Sequence, residues 1–185
     1  HVHFINGAGH KFHGPKGVGI LYINEDISIK PLISGGAQER NMRAGTENLY
    51  GIVGFAKALE DATHNHDIDK AHILSLKYYM ADALQQAFPE LLFNGDTKGD
   101  SLYTVLNVAF PHTPKTEMLL FNLDMAGICI SGGSACSSGA SSVSHVIKNI
   151  HGEKANSLVP IRFSFCKHNT QEEIDLVIEK IKELI

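Results

Sequence analysis

Lys11 stands in the stretch AGHKFHGPKGVGILYI, residues 8–23, with His10 before it, His13 two positions on, and glycines at 9, 14, 17 and 19. An isolated lysine in a turn reads as a solvated charge, because ammonium groups stay at protein surfaces. It is also the side chain that condenses with carbonyl cofactors. Ala8 and the four glycines would let the backbone approach a large planar or anionic group, and the two histidines offer donors beside it. The spacing G-x-x-G-x-G enters a strand, whereas a dinucleotide fingerprint leaves one, and no G-x-x-x-x-G-K-[ST] occurs. Nucleotide-cradling loops therefore fit poorly.

Cys136 sits in GICISGGSACSSGASSVSHV, residues 127–146, with only Gly, Ser and Ala for four positions on either side. One reading is a flexible loop that happens to carry a thiol. The other is a nucleophile on a mobile loop, where an exposed thiolate can travel to a substrate. Cys129, between Ile128 and Ile130, has the apolar company of a buried structural cysteine. Cys166, after IRFSF, is assigned no role. Arg162 interrupts the apolar run LVPIRFSF, so it must snorkel to an edge or meet a carboxylate. A structural partner and a substrate's α-carboxylate both satisfy that demand, the latter through a bidentate fork.

The elements that must position these groups alternate between strand and helix. Residues 2–5 and 18–23 read as short buried strands, and NED at 24–26 as the turn after the second. TENLYGIVGFAKALEDA places Leu49, Ile52, Val53, Ala56 and Leu59 on one helical face. Polar THNHD at 63–67 reads as a linker, dividing a part at 1–62 from a part at 63–185. Residues 68–87 then read as a helix and 102–110 as a strand. TPKTEMLLFNLDMAG is a helix capped by Thr113, with Pro114 at its first position and Gly127 at its stop. GICIS and VPIRFSF are further strands. The last helix opens on a Thr170/Glu173 capping box and buries Ile174, Val177, Ile178, Ile181 and Leu184. This alternation predicts a layered α/β fold.

Composition sets limits on the function. The 185 residues are 43% hydrophobic, with a net charge of -4 and a pI near 6.3, which gives no basic stripe for nucleic acid. No run approaches the roughly 20 apolar residues that span a bilayer. HVHFING has neither an initiator Met nor a basic leader, so the chain is expected to begin mid-sequence. Three cysteines without CxxC spacing fit free thiols in a reducing compartment, the cytoplasm. No metal is assigned.

Taken together, the motifs resemble the C-terminal half of a cysteine desulfurase of the NifS/IscS group, class V aminotransferase-like enzymes of pyridoxal-phosphate fold type I. GHKFHGPKGVGILYI resembles that family's cofactor-lysine motif, GGAQERNMRAGTEN its Arg-x-Gly-Thr segment, GGSACSSG its persulfide-cysteine loop, and IRFSF its carboxylate-binding strand. The order is the family's, from residue 9 to residue 165. The resemblance implies the end of a large cofactor domain (1–62) followed by a small α/β domain (63–185). It implies that pyridoxal 5'-phosphate joins Lys11, which also shuttles the substrate's α-proton, with Ala8, Gly9 and His10 beside the cofactor. Thr46 would reach the phosphate of a neighbouring subunit, which implies a homodimer with shared sites. Arg162 would hold the carboxylate of L-cysteine. Cys136 would take its sulfur as a persulfide, release alanine and hand the sulfur to an acceptor such as an iron–sulfur scaffold protein.

Two departures from the family pattern stand out. Ala8 replaces a usual Ser or Thr near the phosphate. The family's earlier portion, with its ring-stacking His and its Asp on the pyridine nitrogen, has no counterpart before Lys11. A missing N-terminal half, and an inactive fragment without it, are expected. A selenocysteine lyase or another class V enzyme would share Lys11 and Arg162, although an aminotransferase has no need of the Cys136 loop. A thiol hydrolase or peroxidase pairing Cys136 with His145 would not need the Lys11 motif. A noncatalytic interaction module would need neither.

Overall fold

The computed structural model describes residues 1–132 and 144–185, as two compact units, His1–His66 and Asp67–Ile185. Cys136 and the rest of its small-residue segment lie outside the described residues.

The first unit is built on a hairpin. Strand β1 (Phe4–Ala8) pairs antiparallel with β2 (Gly19–Ile23), with Phe4 opposite Ile23 and Ala8 opposite Gly19. Between them the chain makes a 3-10 turn at Gly9–Phe12 that packs on helix α1 (Leu49–His64). Phe12 and Phe55 meet edge to face at 4.9 Å. The residues that α1 buries are Gly51 and Phe55. The apolar stripe expected to be buried there is exposed instead, Leu49 at 64% and Val53 at 60%. Periodicity identifies an apolar face; it does not say what covers it. The two strands expected to be buried also carry exposed Phe4, Ile5, Ile20, Leu21 and Tyr22.

The expected linker at 63–67 is helical on both sides. Helix α1 runs to His64, and α2 (His66–Ala87) starts one residue after Asn65. Both the backbone N–H and Nδ2 of Asn65 donate to Asp61 O, which closes α1. Asp67 and Asp69 then favour the positive N-terminal end of α2.

The second unit has a three-stranded antiparallel sheet in the order β3 (Leu92–Phe93), β4 (Val105–Pro111), β5 (Leu158–Ser164). One sheet face supplies Leu106, Val108, Phe110, Ile161 and Phe163 to a core shared with α2, α4 (Leu119–Met125) and α6 (Gln171–Leu184). Helix α6 contributes Ile174, Ile178 and Ile181, one face at helical spacing. Its Thr170/Glu173 capping box is formed. The helix expected at TPKTEMLLFNLDMAG is two, α3 (Pro114–Glu117) and α4, parted at Met118. Of GICIS, only an isolated bridge from Ser131 to Arg162 is sheet-like. A short helix α5 (His145–His151) precedes β5. Among the described residues no helix is long and apolar enough to cross a membrane.

Lys77, on α2, is 2% exposed and donates to Ser101 Oγ and Leu102 O, each at 3.0 Å. It ties the segment before β4 to the helix. Burial pushes this amine below its ordinary 10.5, with Asp96 opposing the shift. Between the lowered value and 10.5 the unfolded chain holds a proton that the folded chain has released, so stability rises with pH across that window. Urea titrations over this range should show a steeper rise for wild type than for Lys77→Met. Parallel curves would show that the amine titrates alike in both states.

Candidate functional site

The 3-10 turn presents Ala8, Gly9, His10 and Lys11 together, and its glycines have a structural reason that differs from the one their sequence suggests. A Cβ on Gly9 would lie 3.0 Å from Pro15 O and 3.1 Å from Phe55. On Gly14 it would lie 2.9 Å from Gly9 O, and on Gly19 2.5 Å from Gly7 O. These glycines let the hairpin fold back on itself and on α1. Gly17 serves the turn through its φ of 81°. The loop is closed by Gly9 N to Val18 O (3.0 Å), Gly14 N to Gly9 O (2.9 Å) and a left-handed His13. Ala8 begins the 3-10 turn without a side-chain cap.

On this braced turn His10 and Lys11 are both exposed, and Lys11 has no ion-pair partner among the described residues. A primary amine held on a fixed backbone and open to solvent fits an aldehyde cofactor, which must reach it to condense. The donor set therefore fits pyridoxal 5'-phosphate on the lysine side.

Thr46 belongs to the same unit and is also exposed. The loop leading to it has three consecutive left-handed residues, Glu39, Arg40 and Asn41, at φ 47°, 56° and 64°. Such a turn costs L-residues about 1–2 kcal/mol each. It is held by Ala44 N to Ile33 O (3.3 Å) and by Gln38 Oε1, which accepts from Gly45 N at 3.0 Å. Thr46 follows that clamp directly.

Arg162 belongs to the second unit. Its backbone N–H and C=O both bond Ser131, at 2.7 and 3.2 Å, while its cross-strand Cα partner on the other side is Asn107. The Nε atom is buried without a hydrogen-bond partner. An unpaired donor of this kind costs about 1–3 kcal/mol, which an acceptor reaching Nε would relieve. Cys129 is exposed rather than buried, because its strand is reduced to the single bridge at Ser131; Cys166 is half-buried.

Asn107 is the cross-strand Cα partner of Arg162, and Asn94 and His151 are linked to Asn107 by hydrogen bonds. Asn107 interrupts VLNVAF as Arg162 interrupts VPIRFSF, and that coincidence of polar residues inside two apolar strands was the available signal. Asn94 Nδ2 donates to Asn107 Oδ1 at 2.7 Å, and Asn94 Oδ1 is 2.6 Å from His151 Nε2.

Comparison with known proteins follows the same lines. Residues 1–177 match the family model for aminotransferase class-V. IscS 1 of Bacillus subtilis (strain 168) is 41% identical over 186 residues, covering 100% of this chain and 48% of that protein. A cysteine desulfurase of Gluconacetobacter diazotrophicus is 38% identical, covering 100% of this chain and 46% of its own. Among solved structures, a NifS-like protein superposes with a TM-score of 0.84 at 35% identity over 98% of this chain and 46% of its own. A NifS-like protein from Rickettsia africae gives 0.82 at 29% identity over 98% of this chain and 47% of its own. The fold is thus the mixed α/β fold of NifS-like, fold type I proteins. The chain spans about half the length of the curated relatives it matches.

Proposed function

Because this chain belongs to the aminotransferase class-V family, we propose that it is the lysine- and cysteine-bearing part of a pyridoxal-phosphate-dependent cysteine desulfurase, which converts L-cysteine to L-alanine and an enzyme persulfide. The observation that carries the reading is the braced turn with its exposed Lys11, which has no ion-pair partner among the described residues, in a chain whose Arg162 Nε is buried without a hydrogen-bond partner. Bound pyridoxal phosphate supplies an electron sink for the bonds at the substrate's α-carbon.

The chain's own residues do the rest. Lys11 would hold the cofactor through its amine at rest and, once released by substrate, would move the α-proton, while Ala8, Gly9 and His10 would help to hold the cofactor. Thr46 donates its hydroxyl to a phosphate in a second subunit, so the working unit is a homodimer. Arg162 binds the substrate carboxylate through Nε and the guanidinium end. The Cys136 thiolate attacks the substrate sulfur. As the new S–S bond forms, the Cβ–S bond breaks; its electron pair stays with carbon, which gains a proton and leaves as alanine. The persulfide then passes to a protein acceptor, such as an iron–sulfur scaffold, in a reducing cytoplasm where Cys129 and Cys166 remain free thiols.

Further polypeptide completes the first unit. A two-stranded hairpin is marginal alone, and Leu21 and Tyr50, at 58% and 90% exposure, leave apolar surface on both the hairpin and α1. We assign this surface to an N-terminal half of the length seen in relatives and to the partner subunit. On the family's pattern the groups that pair with the cofactor ring belong to that half, so the 185-residue chain alone is expected not to turn over. The test is alanine release from L-cysteine by the cofactor-loaded protein at its relatives' length, beside the 185-residue chain. Release by the longer protein alone is expected. Turnover by the purified short chain would refute the division of labour, and silence from both would refute the desulfurase reading.

A further inference from the structure

We infer that Asn107 is a second substrate-binding residue, which donates its carboxamide N–H to the same carboxylate that Arg162 holds, and that His151 and Asn94 fix the amide in the donating orientation. The inference rests on the desulfurase reading for the identity of the carboxylate, an amino acid's.

The argument begins with strand register. Asn94, Asn107 and Arg162 form one row across the sheet: Phe93 pairs with Val108, so Asn94 follows opposite Asn107, whose backbone O accepts from Asn94 N at 2.9 Å. Asn107 is in turn the Cα partner of Arg162. Residues opposite one another in antiparallel strands share a face. Arg162 turns both backbone groups toward Ser131, so its pairing with Asn107 is of the non-hydrogen-bonded kind, in which side chains stand closest. The apolar core is carried by the other face, through Leu106, Val108, Ile161 and Phe163, so Asn107 and Arg162 share the face turned away from it.

Amide chemistry then fixes what Asn107 offers. With its Nε2 protonated, His151 donates to Asn94 Oδ1 at 2.6 Å. That leaves Asn94 Nδ2 as the donor to Asn107 Oδ1, at 2.7 Å. With its oxygen engaged, Asn107 has only Nδ2 to present, and this atom makes no hydrogen bond to another described residue. Reversed amides would instead leave Asn107 presenting its oxygen, an acceptor, on the face it shares with Arg162. The tautomer of His151 that carries its proton on Nε2 disfavours that reversal. Two donor groups without a partner among the described residues, Arg162 Nε and Asn107 Nδ2, then stand on adjacent strands of one face, and the guanidinium's charge favours a carboxylate over a neutral acceptor there.

The test uses the cofactor-loaded enzyme at full length. Asn107→Leu keeps the side chain's shape but removes both amide groups, and should raise KM for L-cysteine about ten-fold with kcat within about two-fold, as loss of one charge-assisted hydrogen bond predicts. Asn107→Ser, which stays polar but cannot reach, should do the same should the Leu variant fail to fold. His151→Gln, which retains a donor, should resemble wild type, whereas His151→Leu should share the KM rise. A readout without turnover is the shielding of Arg162 from phenylglyoxal by L-alanine, followed by peptide mass: wild type is protected, and Asn107→Leu is protected less. An active Asn107→Leu enzyme with unchanged KM and unchanged shielding would overturn the inference alone. Identical behaviour of His151→Gln and His151→Leu would remove the relay. A wild-type enzyme that releases no alanine would overturn the reading beneath it.

Discussion

Lys11→Ala should lose the visible absorption of the bound cofactor and at least about 100-fold in turnover, the scale of a lost proton-transfer group. The expectation follows from the turn. Close contacts at Gly9, Gly14 and Gly19 fix the backbone independently of the lysine side chain, so the substitution removes an amine without unfolding its support. Lys16 lies in the same hairpin loop and is exposed too, which makes it the natural control. Borohydride reduction of the loaded wild-type enzyme, followed by peptide mapping, should place the cofactor on Lys11. A label on Lys16 would end the assignment.

Cys136→Ser should keep that absorption and stop sulfur transfer, with a loss of ~10³-fold or more, as befits removal of a nucleophile. A serine hydroxyl occupies nearly the same volume but is a far weaker nucleophile than a thiolate. Cys129 is the thiol to compare, since it is exposed. The distinction lies in the sequence: only Gly, Ala and Ser flank Cys136 for four positions on either side, whereas Cys129 lies between Ile128 and Ile130, two residues before the Ser131 bridge. Cys129→Ala and Cys166→Ala should retain turnover.

What could be read from the sequence was whatever local chemistry decides. The Thr113 and Thr170 caps, the Ile174, Ile178 and Ile181 face of α6 and the strand around Arg162 all formed where their residues indicate. What could not be read depended on partners distant in the chain. The apolar stripe of α1 announced burial, but the hairpin covers only the side bearing Gly51 and Phe55. The polar 63–67 segment looked like a linker, yet side-chain capping by Asn65 needs only one residue between helices. Glycines around Lys11 were legible as a close approach, but the approaching groups proved to be the hairpin's own carbonyls and Phe55. Asn107 was invisible as a site residue until strand register set it opposite Arg162.

The most direct measurement is the mass of the loaded enzyme after a single exposure to L-cysteine, with the added sulfur located by persulfide-selective labelling and the alanine counted. The account predicts one extra sulfur atom per chain, on Cys136, with an equal amount of alanine. Sulfur on Cys129 or Cys166, or alanine formed with Cys136 unmodified and replaceable, would contradict it.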